Sequence, residues 1–241
     1  MLHAVLSDIH GNLEALEAVL ADLDRRQPAN VACLGDFVGY GASPNECVER
    51  LRPRLEAAVI GNHDLAAVGR LRLATFNDDA ATAAQWTDAR LSEENRRWLE
   101  SLPFTAAWHG ALLVHSSPVS PEEWNYVLSP ADAELEMSSC AESLVMVGHS
   151  HYAGTFELNG GRASFTRASE VRLTEGHRYL VNAGSVGQPR DGDSRTGYLL
   201  YDDRERTLCH IRLDYDIARS MERIREAGLP DFLAERLRWG E

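Results

Sequence analysis

Three features of the sequence predict an α/β fold in which strands are flanked by helices on both sides. Short apolar runs alternate with helically spaced leucines over the first sixty residues in βαβαβ order, and the chain becomes richer in strands later. Loops rich in Asp, His, Asn and Gly follow directly on these runs, and active sites in such sheets form at the carboxyl ends of strands.

Leu2–Ser7 reads as the first strand, followed by a helix whose Leu13, Leu16, Leu20 and Leu23 share a face before Pro28 stops it. Val31–Leu34 is the second strand. Beyond it Ser43-Pro44-Asn45-Glu46 has the form of a capping box with proline at the first helical position, opening a helix to about Glu56. The third strand, Ala57–Ile60, ends in Gly61-Asn62-His63-Asp64. From about 66 to 105 strand character is lost; a helix after Ser92 aligns Trp98, Leu99 and Leu102, and the segment reads as helical packing or a partial lid. Strand patterns return at Ala111–Val114, Leu144–Val147, Arg178–Val181, Gly197–Tyr201 and Leu208–Leu213, with a helix near Ala131–Ala141. Asn159-Gly160 signals a tight hairpin turn, and the tail from about Asp216 is helical.

A chain of 241 residues accommodates one substantial domain, expected to span 1–241 with the mainly helical segment at about 66–105 inside it. Hydrophobic residues at 44% against 25% charged residues exclude a disordered chain. The apolar stretches are of strand length and begin at Leu2, which argues against a transmembrane helix or signal peptide and for the cytoplasm. Cys33, Cys47, Cys140 and Cys209 are too scattered for a zinc knuckle or disulfide framework and are expected to be reduced and mostly buried. A net charge of −13 disfavours nucleic acid and anionic membranes as partners unless bound cations supply local positive charge.

Five blocks, each after a strand-like run, carry metal-ligand residue types: Ser7-Asp8-Ile9-His10-Gly11, Gly35-Asp36, Gly61-Asn62-His63-Asp64, His115, and Gly148-His149-Ser150-His151. Carboxylate oxygen with imidazole nitrogen suits Mn, Fe, Zn or Co better than Ca or Mg, and the lack of cysteine argues against a closed structural zinc site. Asp8 and His10, like His149 and His151, stand at i and i+2, a spacing that in extended chain puts both side chains on one side to clamp a common site. Asp64 either starts a helix or orients the His63 ring. Five of the nine histidines fall in these blocks; His3, His109, His177 and His210 lack ligand-type neighbours and read as structural or surface residues.

With these blocks in this order, from Asp8 through His151, the sequence resembles the calcineurin-like metallophosphoesterases. The segment Asn182–Asp191 is similar to their small bacterial and archaeal phosphodiesterase branch, so the resemblance spans roughly positions 5 to 200. It implies a four-layer α-β-β-α sandwich of two mixed sheets flanked by helices. Carried over residue by residue, it implies two divalent transition-metal ions, Mn2+ before Fe, Zn, Co or Ni. Asp8, His10 and His151 would bind one, Asn62, His115 and His149 the other, with Asp36 bridging. His63 would contact the phosphate and protonate the leaving group. Ser116, Ser150 and Ala183 stand where the family commonly has glycine, threonine and proline; no ligand is lost, and Ser116 bears on rate and metal preference.

Two cations about 3.5–4 Å apart would share a water whose pKa falls toward ~7, giving a hydroxide for in-line attack on phosphorus. Arg190 is a further substrate-contact candidate, weighed against a favoured surface ion pair with Asp191 or Asp193; Tyr40 and Asn45 are others. The expected function is hydrolysis of small phosphate esters or nucleotides, diesters foremost and extending to monoesters. A nuclease is disfavoured because no basic and aromatic tract is evident to track a strand. A protein phosphatase and a catalytically silent scaffold compete with this reading; intact Asp36, Asn62 and His63 count against silence.

Overall fold

The computed structural model describes residues 1–241. β1 (Leu2–Leu6), α1 (Leu13–Arg26), β2 (Asn30–Cys33), α2 (Pro44–Leu51) and β3 (Ala57–Ala58) form the βαβαβ opening. α3 (Asn62–Ala67), α4 (Asp78–Asp88) and α5 (Glu93–Glu100) follow, then β4 (Thr105–Trp108), β5 (Ala111–Val114), α6 (Pro130–Ser138) and β6 (Leu144–Val147). Strands β7 (Gly154–Asn159), β8 (Arg162–Thr166), β9 (Glu170–Arg172), β10 (Arg178–Asn182), β11 (Thr196–Asp202) and β12 (Thr207–Leu213) precede α7 (Ile217–Glu226) and α8 (Asp231–Glu235).

The strands make two six-stranded sheets, ordered β3-β2-β1-β11-β12-β9 and β4-β5-β6-β10-β7-β8. Both are mixed: β1, β2 and β3 run parallel, as do β5, β6 and β10, and antiparallel strands complete each sheet. β1 shows why the sheets stack. Its Ala4 and Leu6 pack on the α1 leucines Leu16, Leu20 and Leu23, while Val5 faces Met146 and Val181 of the second sheet. On that sheet's outer face Val145 and Val147 bury Ala133 and Met137 of α6. The result is four layers, α-β-β-α, and central strands covered on both faces read as unbroken apolar runs.

Local departures from the sequence reading have physical causes. Ser43 makes no side-chain capping bond, so the capping box does not close; α2 starts on Pro44 and ends at Leu51, where Pro53 supplies no amide and the chain tightens into a 3-10 turn. The β7–β8 hairpin turns on Gly160-Gly161, both at positive φ, with Asn159 already paired to Arg162. β4, β7, β8 and β9 carry no clear strand signal in the sequence; β8 is largely exposed and polar. The 66–105 segment is helical, and α4 packs its Ala80 and Ala83 with Met221, Ile224 and Leu233 of the tail, against the same cluster as Tyr40. The Trp86 indole N–H donates to the Ala227 carbonyl at 3.0 Å, tying segment to tail.

One polar group is locked into the helix side of the first sheet. The Asp22 carboxylate accepts from the Tyr198 hydroxyl at 2.6 Å, Arg26 Nε at 2.7 Å and Arg25 Nη2 at 2.9 Å. Burial raises its carboxyl, but the hydrogen bonds from Tyr198 and Arg26 outweigh burial and hold it below the usual range. A depressed folded pKa gives stability that is present above the unfolded value and lost as pH falls through the folded one. Asp22→Asn is therefore expected to cost about 1–3 kcal/mol in urea unfolding at pH 7. Its deficit against the parent chain should shrink below about pH 4, where Asp22 itself takes up a proton; a deficit independent of pH would show that shape, not charge, is what Asp22 contributes.

Candidate metal centre

Five loops leaving the carboxyl ends of β1, β2, β3, β5 and β6 meet at one end of the two sheets. They bring together Asp8 and His10, Asp36, Asn62 and His63, His115, and His149 with His151, every one of them buried. The convergence does not come from extended chain. Asp8, His10, Asp36, His149 and His151 all have φ between 48° and 65°, in the left-handed region that residues with a Cβ seldom adopt. The loops after β1, β2 and β6 thus turn sharply at the ligand-type residues themselves, which corrects the i, i+2 argument. His149 and His151 point into two different groups rather than one.

The first group is Asp8, His10 and His151, and the second Asp36, His115 and His149; within each, the donor atoms lie within 4.8 Å of one another. His151 Nε2 is 3.1 Å from Asp8 Oδ1 and 3.1 Å from His10 Nε2. Asp36 Oδ2 lies 3.3 Å from His115 Nε2 and 3.6 Å from His10 Nε2, so one carboxylate oxygen reaches both groups.

The remaining atoms of these side chains are held by protein. His10, His115 and His151 each direct Nδ1 at a backbone carbonyl, of Val38, Leu34 and Gln188 respectively. A carbonyl only accepts, so Nδ1 carries the proton and Nε2 presents a lone pair to the centre. His149 is the reverse: Nε2 donates to the Trp124 carbonyl at 2.9 Å, leaving Nδ1 for the centre. Asp8 Oδ2 accepts from the Ser7 hydroxyl at 2.5 Å and the His149 amide at 3.1 Å, while Asp36 Oδ1 accepts from the His63 amide at 2.8 Å. One oxygen of each carboxylate is anchored and the other faces inward.

The inward atoms lack partners. Asp8 Oδ1, Asn62 Oδ1 and His115 Nε2 are buried without a hydrogen bond, and the His10 and His151 lone pairs confront each other. Buried acceptors in this state are costly unless a cation satisfies them. The donor set, four imidazoles, two carboxylates and an amide oxygen, therefore fits divalent transition-metal ions. Charge distribution agrees. Burial would raise the Asp8 and Asp36 carboxyls, yet attraction to the His151 and His115 rings outweighs it and holds both below the usual range; Asp36 in turn outweighs burial at His115 and raises it to about 9, so that without an ion a proton takes the inward lone pair where a cation would sit. Burial pushes His149 down to about 3, with His115 adding to it.

Asp64 does not orient His63. Its carboxylate accepts from the backbone amides of Asp36, Gly61 and Val38 at 2.8, 3.0 and 3.2 Å, and so latches the β2 and β3 loops together. Glycine at 61 and 148 is a matter of space: a Cβ at Gly61 would collide with the Asp36 carboxylate, and one at Gly148 with the Ser7 hydroxyl. Asn182 and Ser185, not singled out individually from the sequence, are a second latch. Asn182 Nδ2 donates to the Gly148 carbonyl at 2.6 Å and Ser150 Oγ at 2.9 Å, and Ser185 Oγ to the Asp8 carbonyl at 2.9 Å. Ser116 turns away from the inward-facing atoms, its hydroxyl donating to the Pro121 carbonyl.

Arg190 forms neither expected ion pair, because Asp191 is taken by Arg212 and Asp193 by Arg195. It reaches Gln188 Oε1 at 2.8 Å and the Tyr40 hydroxyl at 3.3 Å instead, beside the centre. Asn45 is not at the site; it binds the Arg90 carbonyl, the Ser92 amide and the Asn95 side chain. Over Asn62, His63 and His149 opens a cleft of about 320 Å³ walled by Tyr40, Phe76 and Trp124. Tyr126, at its mouth, stacks on His149 at 4.1 Å and is half exposed. The sequence signal for this wall is slight: two aromatics in a loop without apolar periodicity.

The comparisons with known proteins agree with this geometry. Residues 1–206 match the calcineurin-like phosphoesterase superfamily domain. The uncharacterised protein MJ0912 of Methanocaldococcus jannaschii is 39% identical over 238 residues, 97% of this chain and 96% of that protein. A metallophosphoesterase from Sphaerobacter thermophilus superposes with a TM-score of 0.90 at 38% identity, covering 100% of this chain and 99% of that one. The hypothetical protein PH1004 from Pyrococcus horikoshii OT3 shares the fold, with a TM-score of 0.80 at 21% identity over 100% and 98% of the two chains. With its ligand-type residues gathered at the strand ends and its match running over most of its length, the chain belongs to the calcineurin-like phosphoesterase superfamily.

Proposed function

We propose that this metal-dependent phosphoesterase hydrolyses diesters of small phosphorylated molecules or nucleotides at a centre of two divalent ions, Mn2+ before Fe, Zn, Co or Ni. The observation that carries the reading is Asp36 Oδ2, placed between two groups of donors among which Asp8 Oδ1, Asn62 Oδ1 and His115 Nε2 are buried without a hydrogen-bond partner. Asp8, His10 and His151 would hold one ion in this reading and Asn62, His115 and His149 the other, with Asp36 within reach of both groups. Bound there, the pair would polarise phosphoryl oxygens and make an attacking water acidic near neutral pH.

The chain's own groups do the rest. Burial, reinforced by the Arg190 cation, outweighs the pull of Asp36 and pushes His63 down to about 4. At neutral pH it is a neutral imidazole, able to donate one hydrogen bond to a phosphoryl or leaving oxygen. Arg190, free of any carboxylate and braced by Gln188 and Tyr40, supplies a fixed positive charge at the rim. The aromatic wall of Tyr40, Phe76, Trp124 and Tyr126 offers an uncharged surface to a second ester substituent, which favours diesters over monoesters. No helix is long and apolar enough to cross a membrane, and the four cysteines are unpaired, which supports the cytoplasm.

The test is turnover of bis-p-nitrophenyl phosphate and p-nitrophenyl phosphate by metal-stripped protein refilled with Mn2+. Turnover is expected only after refilling, with the diester faster; two bound metals without turnover of either ester would overturn the reading. Asp36→Asn is expected to lose metal and activity together, whereas His63→Ala should keep both ions while kcat falls by about 10²–10⁴. Equal metal loss in both, read by elemental analysis, would refute that division. Arg190→Ala should raise KM about tenfold or more with metal content unchanged, the effect of removing one charge-assisted contact to an anion.

A further inference from the structure

Among the imidazoles gathered at the centre, His63 alone has no hydrogen bond to hold its ring. His10, His115, His149 and His151 each set one ring nitrogen on a backbone carbonyl. His63 Nδ1 is buried without a partner, although the residue is buried like the others. Its amide donates to Asp36 Oδ1, which fixes the backbone and leaves the ring free to turn about its side-chain torsions.

What stops the ring is packing. Phe76 meets it edge to face with centroids 4.9 Å apart at 73°, Tyr40 lies 4.4 Å away at 48°, and His10 lies 4.9 Å away at 85°. Gly39, at φ 90°, closes the Nδ1 edge so tightly that a Cβ there would come within 2.7 Å of that nitrogen. A proton on Nδ1 would be a buried donor with no acceptor, so the neutral ring carries it on Nε2. Nε2 is the nitrogen left to face the cleft that His63 lines.

Of the three neighbouring rings, His10 belongs to a metal-ligand group and Tyr40 braces Arg190, whereas Phe76 has no other partner at the centre. The Phe76 backbone is fixed on both sides. Its amide donates to the Leu73 carbonyl at 2.9 Å, closing the 3-10 turn Leu73–Thr75, and Asn77 caps α4 by accepting from the Ala80 amide at 2.9 Å. Phe76 also packs on the cluster that joins α4 to Met221, Ile224 and Leu233 of the tail. That tail lies beyond the residues that match the family domain, so the support comes from outside the ligand framework.

We propose that Phe76 is a positioning residue for His63: its ring, carried by the 66–105 segment and backed by the C-terminal tail, does for His63 what backbone carbonyls do for the other four imidazoles. The catalytic consequence rests on the esterase reading above, whereas the effect on the ring does not, and the two are measured separately. The ring is read by long-range proton–nitrogen NMR of the labelled imidazoles in metal-stripped protein, with His63 assigned by its loss in His63→Ala. The parent chain is expected to show one His63 tautomer, protonated at Nε2. In Phe76→Ala water reaches Nδ1 and the tautomers should mix, while the His10 and His151 patterns stay as they are. An unchanged His63 pattern would overturn the proposal, whatever the esterase assay shows. With Mn2+ restored, Phe76→Ala should lower kcat for bis-p-nitrophenyl phosphate about 10–10²-fold at unchanged metal content. In the His63→Ala background that kcat effect should vanish, and only the KM change from the altered cleft wall should persist. An equal kcat loss in both backgrounds would refute action through His63. No turnover in the parent chain counts against the esterase reading alone and leaves the ring measurement to decide. Should Phe76→Ala fail to fold, Phe76→Val is read in the same way.

Discussion

Everything at the catalytic end of this molecule follows from forcing acceptor atoms to face one another in a buried volume. The Nε2 atoms of His10 and His151 and the inner oxygens of Asp8 and Asp36 crowd together there. Taking such groups out of water costs several kcal/mol for each charged one, and their mutual repulsion adds to the cost. Cations reverse the sign of that term, so in their absence the fold has to hold the donors together against it by other means. Those means are visible: left-handed backbone at the ligand residues, an anchored second atom on each imidazole and carboxylate, and glycine where a Cβ would strike the Asp36 or Ser7 side chain. The Asp64 and Asn182 latches then fix the loops from behind.

The sequence made the architecture legible wherever periodicity reports burial. The α1 leucines and the doubly covered strands β1, β2, β5 and β6 are of that kind, and the ligand blocks stand out because each follows such a strand. What stayed hidden depends on contacts that spacing does not encode. Asp64 adjoins His63 in the chain, but its carboxylate serves amides of the β2 loop. Asn45 lies in the loop region expected to touch substrate, yet it is consumed in bracing α5. Arg190 has two aspartates for near neighbours and pairs with neither, because Arg212 and Arg195 reach them first. His3 and His109 become neighbours only when the two sheets stack.

The candidate metal ligands and the cleft wall come from different layers of the structure. The ligands sit at the ends of core strands, whereas the cleft wall is drawn from the 66–105 segment, the β2 loop and the loop after β5. The separation is incomplete at one point. The Trp124 carbonyl holds His149 Nε2, and the Tyr126 ring stacks on the same histidine, so the aromatic loop that shapes the cleft also sets the orientation of one ligand. Changes to Phe76 act on the cleft and on His63, against which its ring packs at 4.9 Å, while changes to the backbone at Trp124 act on cleft and ligand together.

In the proposed reading, the overall charge bears on the size of what can bind. At −13 the protein repels a long polyanion, whose phosphates would have to lie along an acidic surface extending well beyond the site. In the proposed two-ion reading the sign inside the cleft is opposite: the ions would outweigh the Asp8 and Asp36 carboxylates and Glu123 of the cleft wall, and Arg190 adds a cation paired with no carboxylate. That local field is screened within about 8–10 Å at physiological salt. On that reading a single phosphate ester lies within this field, whereas a polymer extends beyond it. The proposed preference for small esters over nucleic acid would therefore need no dedicated repulsive residue; it would follow from a positive centre of limited reach set in an acidic protein.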